Sequence, residues 1–130
     1  MSEEKSADIK FIKIVELKPE ITPGINIRAR VFSKPEPRTV NTRYGKSRVC
    51  DVKIGDETGT VTLSLWGSKI KDVEVGDLIE IINGFCREWQ GYPQMSLGKE
   101  GTMTKFEDPK FPDAQTILNK YKEENVTEED

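Results

Sequence analysis

The chain has 130 residues, of which 33% are charged and 35% hydrophobic, and its formal net charge is −3. This length allows one domain with flanking tails and a modest core. No apolar run approaches the roughly 20 residues of a membrane-spanning helix, and the first residues lack the apolar segment of a signal peptide. Two cysteines and no histidine exclude a disulfide framework and a four-ligand zinc site. We therefore expect two buried thiols, no metal and no cofactor.

Basic and acidic residues are segregated along the chain. Residues 28–53 carry eight basic and two acidic side chains, whereas residues 106–130 carry eight acidic and three basic ones. This asymmetry is typical of a basic working surface joined to an acidic tail. We predict a flexible N-terminus over residues 1–8, a compact domain over residues 9–106, and a C-terminal helix with an acidic tail over residues 107–130.

Five short strands separated by glycine-rich turns are predicted between residues 25 and 98. Their apolar residues alternate with polar ones, which is the period of a strand with one buried and one wet face. Short strands at this spacing favour a small barrel or a sandwich. In chain order, the strands are predicted over residues 25–31, 48–54, 60–66, 78–84 and 94–98.

The connections between these strands differ in character. Residues 33–47 include two prolines, which cannot donate to a ladder, so we expect a loop or a loosely extended ribbon. Residues 55–59, GDETG, predict a tight hairpin turn rather than a metal site, because the two glycines can take positive φ. Asn83-Gly84 predicts a bulge that resets the alternation, and the stretch from Phe85 is expected to bend back into the fifth strand.

The third predicted strand carries an aromatic residue on its polar face. Trp66 shares this face with Thr62 and Ser64, opposite the apolar face of the same strand. A tryptophan in a small domain is usually part of the core. The two hydroxyl-bearing neighbours instead favour an exposed indole.

Two further aromatic residues lie after the fourth predicted strand. Phe85 and Trp89 have Arg87 and Glu88 between them, and a buried segment does not normally carry such charges. Flat aromatic side chains stack on unpaired bases of any sequence, while cations follow the phosphates. Three aromatics near a basic region therefore match the needs of a protein that binds single-stranded nucleic acid.

The blocks IGDETGTVTLSLWGS and VGDLIEIINGFCREWQG resemble the single-OB-fold single-stranded DNA-binding proteins of archaea. They also resemble the related OB-fold subunit of the eukaryotic sensor-of-single-stranded-DNA complex. The resemblance spans residues 14–107 and implies an all-β fold, a five-stranded OB-fold Greek-key barrel, followed by a short C-terminal helix and the acidic tail. It implies that Trp66, Phe85 and Trp89 stack on bases.

One position departs from the pattern of these proteins. Some of them carry another aromatic on the last strand where this chain has Ser96, and Tyr92 lies nearby but out of register. The family's basic first hairpin corresponds to residues 38–48, which implies contacts with the nucleic-acid backbone. Arg28 lies outward on the first strand and is predicted to join them, although it is equally typical of a solvated face, as are Arg30 and Lys53. The predicted backbone contacts are Arg28, Arg38, Arg43, Lys46 and Arg48.

The function predicted from these features is sequence-tolerant binding of single-stranded DNA in replication and repair. We expect a cytoplasmic, nucleoid-associated protein that is not an enzyme and has no membrane partner. Two alternatives stay open: a protein-interaction adaptor in a replication protein A-like assembly, and a binder of single-stranded RNA. The acidic tail is expected to solubilise the chain, to compete weakly with DNA, or to recruit protein partners.

Overall fold

Seven strands and one α-helix follow one another in the computed structural model, which describes residues 9–126. Short 3₁₀ turns at Ile14–Glu16 and Gly67–Asp72 precede β1 and follow β4. The predicted flexible N-terminus, residues 1–8, and the last four residues of the predicted acidic tail lie outside the described residues. The elements are β1 (Thr22–Ser33), β2 (Arg38–Thr42), β3 (Gly45–Asp56), β4 (Gly59–Trp66), β5 (Leu78–Trp89), β6 (Tyr92–Ser96), β7 (Thr102–Lys105) and α1 (Ala114–Val126).

Five of the strands close into a barrel, which confirms the five-stranded architecture predicted from the sequence. The order is β1-β3-β4-β6-β5, and β1 closes the ring by pairing with both β3 and β5. All these pairings are antiparallel except that of β4 with β6, which is parallel. The stretch over residues 33–47 contains a ribbon, because β2 pairs with β3 in an unbroken register. β7 pairs with β5 at the edge of the sheet.

Alternating apolar side chains fill the barrel. In β4, Val61, Leu63 and Leu65 are buried, as the period-two pattern predicts. Cys50 and Cys86 are buried and unpaired, and burial raises the pKa of both thiols, so they act as small apolar residues. The largest fully buried side chains are Ile27, Ile54, Leu63, Leu65, Ile79, Ile81 and Met95.

A bulge at Asn83 and Gly84 bends β5 without ending it. Asn83 has a left-handed φ of 61°, and the register with β1 shifts at this point. A Cβ on Gly84 would lie 2.8 Å from Ile81 Cγ2, so the close packing requires glycine. The predicted reset of parity is confirmed. The predicted end of the fourth strand at Gly84 is wrong, because β5 continues to Trp89. The predicted bend back within residues 85–93 is confirmed, because the chain turns at Gln90 and Gly91 into β6.

The turn between β3 and β4 is organised by one buried carboxylate. Asp56 is 4% exposed, and its two oxygens accept hydrogen bonds from the backbone N–H groups of Ile14, Thr58 and Gly59 and from the Thr58 hydroxyl. The predicted GDETG hairpin is therefore confirmed. The same carboxylate also attaches the segment before β1 to the barrel.

Replacing Asp56 by alanine should lower the free energy of unfolding by about 2–3 kcal/mol, because buried N–H donors lose their acceptor. Urea denaturation measures the change. Glu57→Ala is the matched control: this neighbouring carboxylate is exposed and pairs with Lys13, so its loss should cost less than about 1 kcal/mol. Equal losses in both variants would contradict the role given to Asp56.

The C-terminal helix packs against the outside of the barrel. Asp113 caps it by accepting a 2.8 Å hydrogen bond from the Thr116 backbone N–H, and bonds to Thr116 hold the pKa of this carboxyl below its usual range. Ile117 is buried, and Tyr121 meets Phe32 of β1 with 5.4 Å between ring centroids. The predicted helix and its cap are confirmed, whereas the domain boundary near Phe106 stays a prediction.

Candidate nucleic-acid interface

The outward side chains of β3, β4, β6 and the second half of β5 form one continuous surface, called the platform below. Strand pairing arranges these side chains in two rows, with Trp66 beyond one row and Trp89 and Tyr92 beyond the other. Trp66 and Trp89 therefore occupy opposite ends of the platform. Read across the four strands, the rows are Asp51–Ser64–Ser96–Phe85 and Lys53–Thr62–Gln94–Arg87.

Trp66 lies at the end of β4 with its ring open to solvent. The residue is 44% exposed, whereas Leu65 beside it is 1% exposed. On β3, the residue directly opposite Trp66 is Val49, and opposite Val49 on β2 is Arg38. An indole, an aliphatic side chain and a guanidinium thus share one line across three strands. The predicted outward orientation of Trp66 is confirmed.

Phe85 and Trp89 project from β5 onto the same surface. They are four residues apart in one strand, which separates their Cα atoms by about 13 Å. Phe85 is half-buried. A Cβ on Gly98 would lie 3.3 Å from Phe85 Cβ, so the absence of a side chain at Gly98 leaves room for the phenylalanine. Trp89 is 53% exposed at the end of the strand. The three aromatic residues predicted to stack on bases therefore lie on one face.

Two residues of the platform were not predicted from the sequence to take part in binding. Tyr92 lies four residues from Ser96, directly opposite Trp89, and is 72% exposed on the same face. The parity of β6 gives the reason, because Tyr92 and Ser96 are four residues apart and so share a face. Arg87 lies between Phe85 and Trp89, and its guanidinium makes no hydrogen bond or ion pair with another described residue. Alternation counted from Phe85 would have predicted that Arg87 lies on this face.

A chain of hydrogen bonds crosses the centre of the platform. Arg38 Nη2 donates to Asp51 Oδ2 over 2.9 Å, the Ser64 hydroxyl donates to Asp51 Oδ1 over 3.1 Å, and Gln94 Nε2 donates to Ser64 Oγ over 2.6 Å. The bonds link β2, β3, β4 and β6, so they fix the floor between the aromatic ends. They also orient Arg38, whose side chain is 60% exposed.

The β2–β3 hairpin carries the other predicted basic residues beyond the barrel. Arg43 lies in the turn, with its guanidinium carbon 6.0 Å from the centroid of the Tyr44 ring. Lys46 and Arg48 are exposed, and their parity places them on the face of the ribbon opposite that of Arg38. The structure thus brings Arg38 next to the aromatic surface and distributes the other three over the turn and the far face of the hairpin.

The structure does not bring Arg28 to the platform. Its Nε donates to Glu80 over 3.0 Å, and its guanidinium carbon lies 4.0 Å from the centroid of the Phe11 ring. Arg30 is also engaged, because it donates to the carbonyl groups of Phe111 and Pro112. These contacts attach flanking segments to β1. We therefore leave Arg28 out of the interface proposed below.

Lys53 lies at the β3 edge of the platform. Its Nζ is 5.9 Å from the centroid of the Tyr121 ring in α1, so the helix borders the surface at this point. Together with Arg38 and Arg87, it places a cation on three of the strands around the aromatic residues.

Within residues 9–126, no group of acidic and cysteine side chains is arranged to hold a metal ion. In the same part of the chain, no helix is long and apolar enough to cross a membrane.

The fold is an OB fold. The chain is similar to the solved OB domain of Ta0387 from Thermoplasma acidophilum, with a TM-score of 0.64 and 17% sequence identity over 75% of this chain and 88% of that one. No protein-family model matches the chain.

The relatives that are similar in sequence include the following two proteins. The single-stranded DNA binding protein Ssb of Saccharolobus solfataricus is 29% identical over 105 residues, which cover 81% of this chain and 70% of that protein. Replication factor A of Methanothermobacter thermautotrophicus is 28% identical over 98% of this chain, and the chain spans only 17% of that longer protein. The resemblance to archaeal single-stranded DNA-binding proteins that the sequence motifs indicate is confirmed.

Proposed function

We propose that the chain binds single-stranded DNA without sequence preference, by stacking bases on the platform and holding phosphates with the cations around it. The observation that carries this proposal is the exposed indole of Trp66 on the polar face of β4, on the same face of the barrel as Phe85 and Trp89. Exposed aromatic residues that share one face are typical of a binding surface, and each of these rings can hold a base.

The proposed lack of sequence preference follows from the kind of contact. Trp66, Phe85 and Trp89 offer flat faces, and every base has a π-face to place against them. Phosphate contacts carry no sequence information. Arg38, Arg87 and Lys53 lie around the platform, and the hairpin residues Arg43, Lys46 and Arg48 extend the cationic region.

The names of the two relatives support a role with single-stranded DNA in replication. A role in repair, through protection of exposed strands, and a location on the nucleoid in the cytoplasm are part of the same proposal. Both relatives are named as binding or replication factors, which supports the prediction that the chain is not an enzyme. The acidic C-terminus is proposed to contact protein partners.

Competition for a fluorescently labelled oligo-dT tests the proposal. Fluorescence anisotropy should rise on addition of the protein, and unlabelled oligo-dT should displace the label. A DNA duplex of equal length should compete at least about tenfold less well, because its bases are not free to stack.

The two alternative functions give different outcomes in the same experiment. If oligo-U competes at least as well as oligo-dT at equal salt, the natural ligand is RNA. If no oligonucleotide binds, the OB fold serves as a protein-interaction adaptor and the proposal is wrong.

A further inference from the structure

The β5–β6 hairpin is built so that Trp89 and Tyr92 must be neighbours. Only Gln90 and Gly91 separate them, and both have left-handed backbones, with φ of 53° and 86°. Two such residues form the type I′ turn that matches the twist of a hairpin. Glu88 accepts a hydrogen bond from the Gly91 N–H and fixes the turn. The register of the two aromatic residues is therefore set by the backbone.

Tyr92 has no structural role in the core. Met95, on the opposite face of β6, is fully buried, whereas Tyr92 is 72% exposed. Its hydroxyl group makes no hydrogen bond with any other residue that the structure describes. Cross-strand neighbours stand about 5 Å apart at Cβ, so the phenol extends the aromatic surface of Trp89 sideways onto β6.

The centre of the platform, in contrast, lacks an aromatic residue on β6. Ser96 lies opposite Phe85, and its small side chain leaves β6 without a ring in that row. Four residue pairs further along the hairpin, Tyr92 supplies a ring opposite Trp89. The aromatic surface is thus widened at the hairpin end rather than at the centre.

We propose that Tyr92 is a fourth base-stacking residue, which with Trp89 holds the nucleotides at the hairpin end of the bound strand. The inference depends on the proposed function, since it assigns an additional contact for the same ligand. It predicts that the site reaches beyond the barrel, along the β5–β6 hairpin. A merely structural tyrosine would stabilise the hairpin as a cross-strand partner of Trp89 and leave binding unchanged.

The test compares Tyr92→Ala with Tyr92→Phe in the full chain, using labelled oligo-dT of increasing length. The alanine variant should bind long oligo-dT about 5- to 100-fold more weakly, and the phenylalanine variant should bind as the parent does, because the ring is what stacks. The parent should gain affinity at the length that reaches the hairpin, and Tyr92→Ala should lose that gain while shorter oligonucleotides bind equally to both. Val75→Ala is the control, since Val75 is 54% exposed between β4 and β5 and is not part of the platform.

The outcomes separate this inference from the proposed function. If the parent binds oligo-dT and Tyr92→Ala binds every length as tightly, Tyr92 is not a stacking residue, although the proposed function stands. A loss shared equally by Val75→Ala would also overturn the inference. If the parent binds no oligo-dT, the proposed function is wrong and this inference is wrong with it. Thermal melting of Tyr92→Ala checks the fold, and Tyr92→Leu, which keeps an apolar side chain without a ring, should show the same binding defect.

Discussion

Replacing Trp66 or Trp89 by alanine is expected to weaken the binding of oligo-dT about 5- to 100-fold in each case. This range corresponds to the stacking of one base on one aromatic side chain, about 1–3 kcal/mol. Both indoles lie outside the barrel core and are about half exposed, so the variants should remain folded. Fluorescence anisotropy with labelled oligo-dT measures the affinities, and circular dichroism checks the fold.

Conservative variants make this result interpretable. Trp66→Phe and Trp89→Phe keep a flat ring and should lose less affinity than the alanine variants. Because Trp66 and Trp89 lie at opposite ends of the platform, their effects should be close to additive in the double alanine variant. Folded alanine variants with unchanged affinity would remove both residues from the site.

Salt concentration is expected to have the second large effect on the affinity for oligo-dT. If about four phosphates are neutralised, the logarithm of the binding constant should fall with the logarithm of salt concentration at a slope near −3. A tenfold increase in salt, from about 50 to about 500 mM, would then lower the affinity roughly 1000-fold. A flat response would mean that the basic residues take no part in binding.

Charge-removing variants locate the cations responsible for that slope. Changing Arg43 and Lys46 together to alanine should make the slope shallower by about 1.4, the amount expected for two phosphate contacts with a single strand. Lys110→Ala is the control, because Lys110 is exposed in the segment before α1 and is not on the platform. An unchanged slope in the hairpin variant would remove these two residues from the interface.

Local alternation in the sequence was sufficient to predict most of the fold. The period-two pattern of β4 determined both the buried face and the outward position of Trp66, because each residue's orientation follows from its neighbours alone. The GDETG turn and the Asp113 cap are also local, since their hydrogen bonds join residues two or three positions apart. Features of this kind can be predicted from one sequence.

Long-range pairing could not be predicted in the same way. The contact of Arg28 with Glu80 joins β1 to β5 across 52 positions, so an outward arginine could not be distinguished from a groove residue. The continuation of β5 to Trp89 depends on the bulge at Asn83 and on packing around Gly84, and both involve β1 and β6. The placement of Tyr92 opposite Trp89 requires the two-residue turn, Gln90 and Gly91, between β5 and β6.

The positions of the basic residues show a third limit of prediction from the sequence. A count of charges predicted a basic region over residues 28–53, yet the structure distributes those cations over several faces. Arg38 lies beside the platform, Lys46 and Arg48 lie on the far face of the hairpin, and Arg28 is engaged elsewhere. Charge segregation therefore indicates the kind of partner, whereas the contacts themselves depend on strand parity and register.

The most direct test of the account uses the fact that the chain has two tryptophans. In the variant Trp89→Phe, all tryptophan emission comes from Trp66, at the end of β4. On titration with oligo-dT, that emission should be quenched saturably, with the same midpoint as the anisotropy of the labelled oligonucleotide. Emission that stays constant while the oligonucleotide binds would show that no base stacks on Trp66 and would contradict the account.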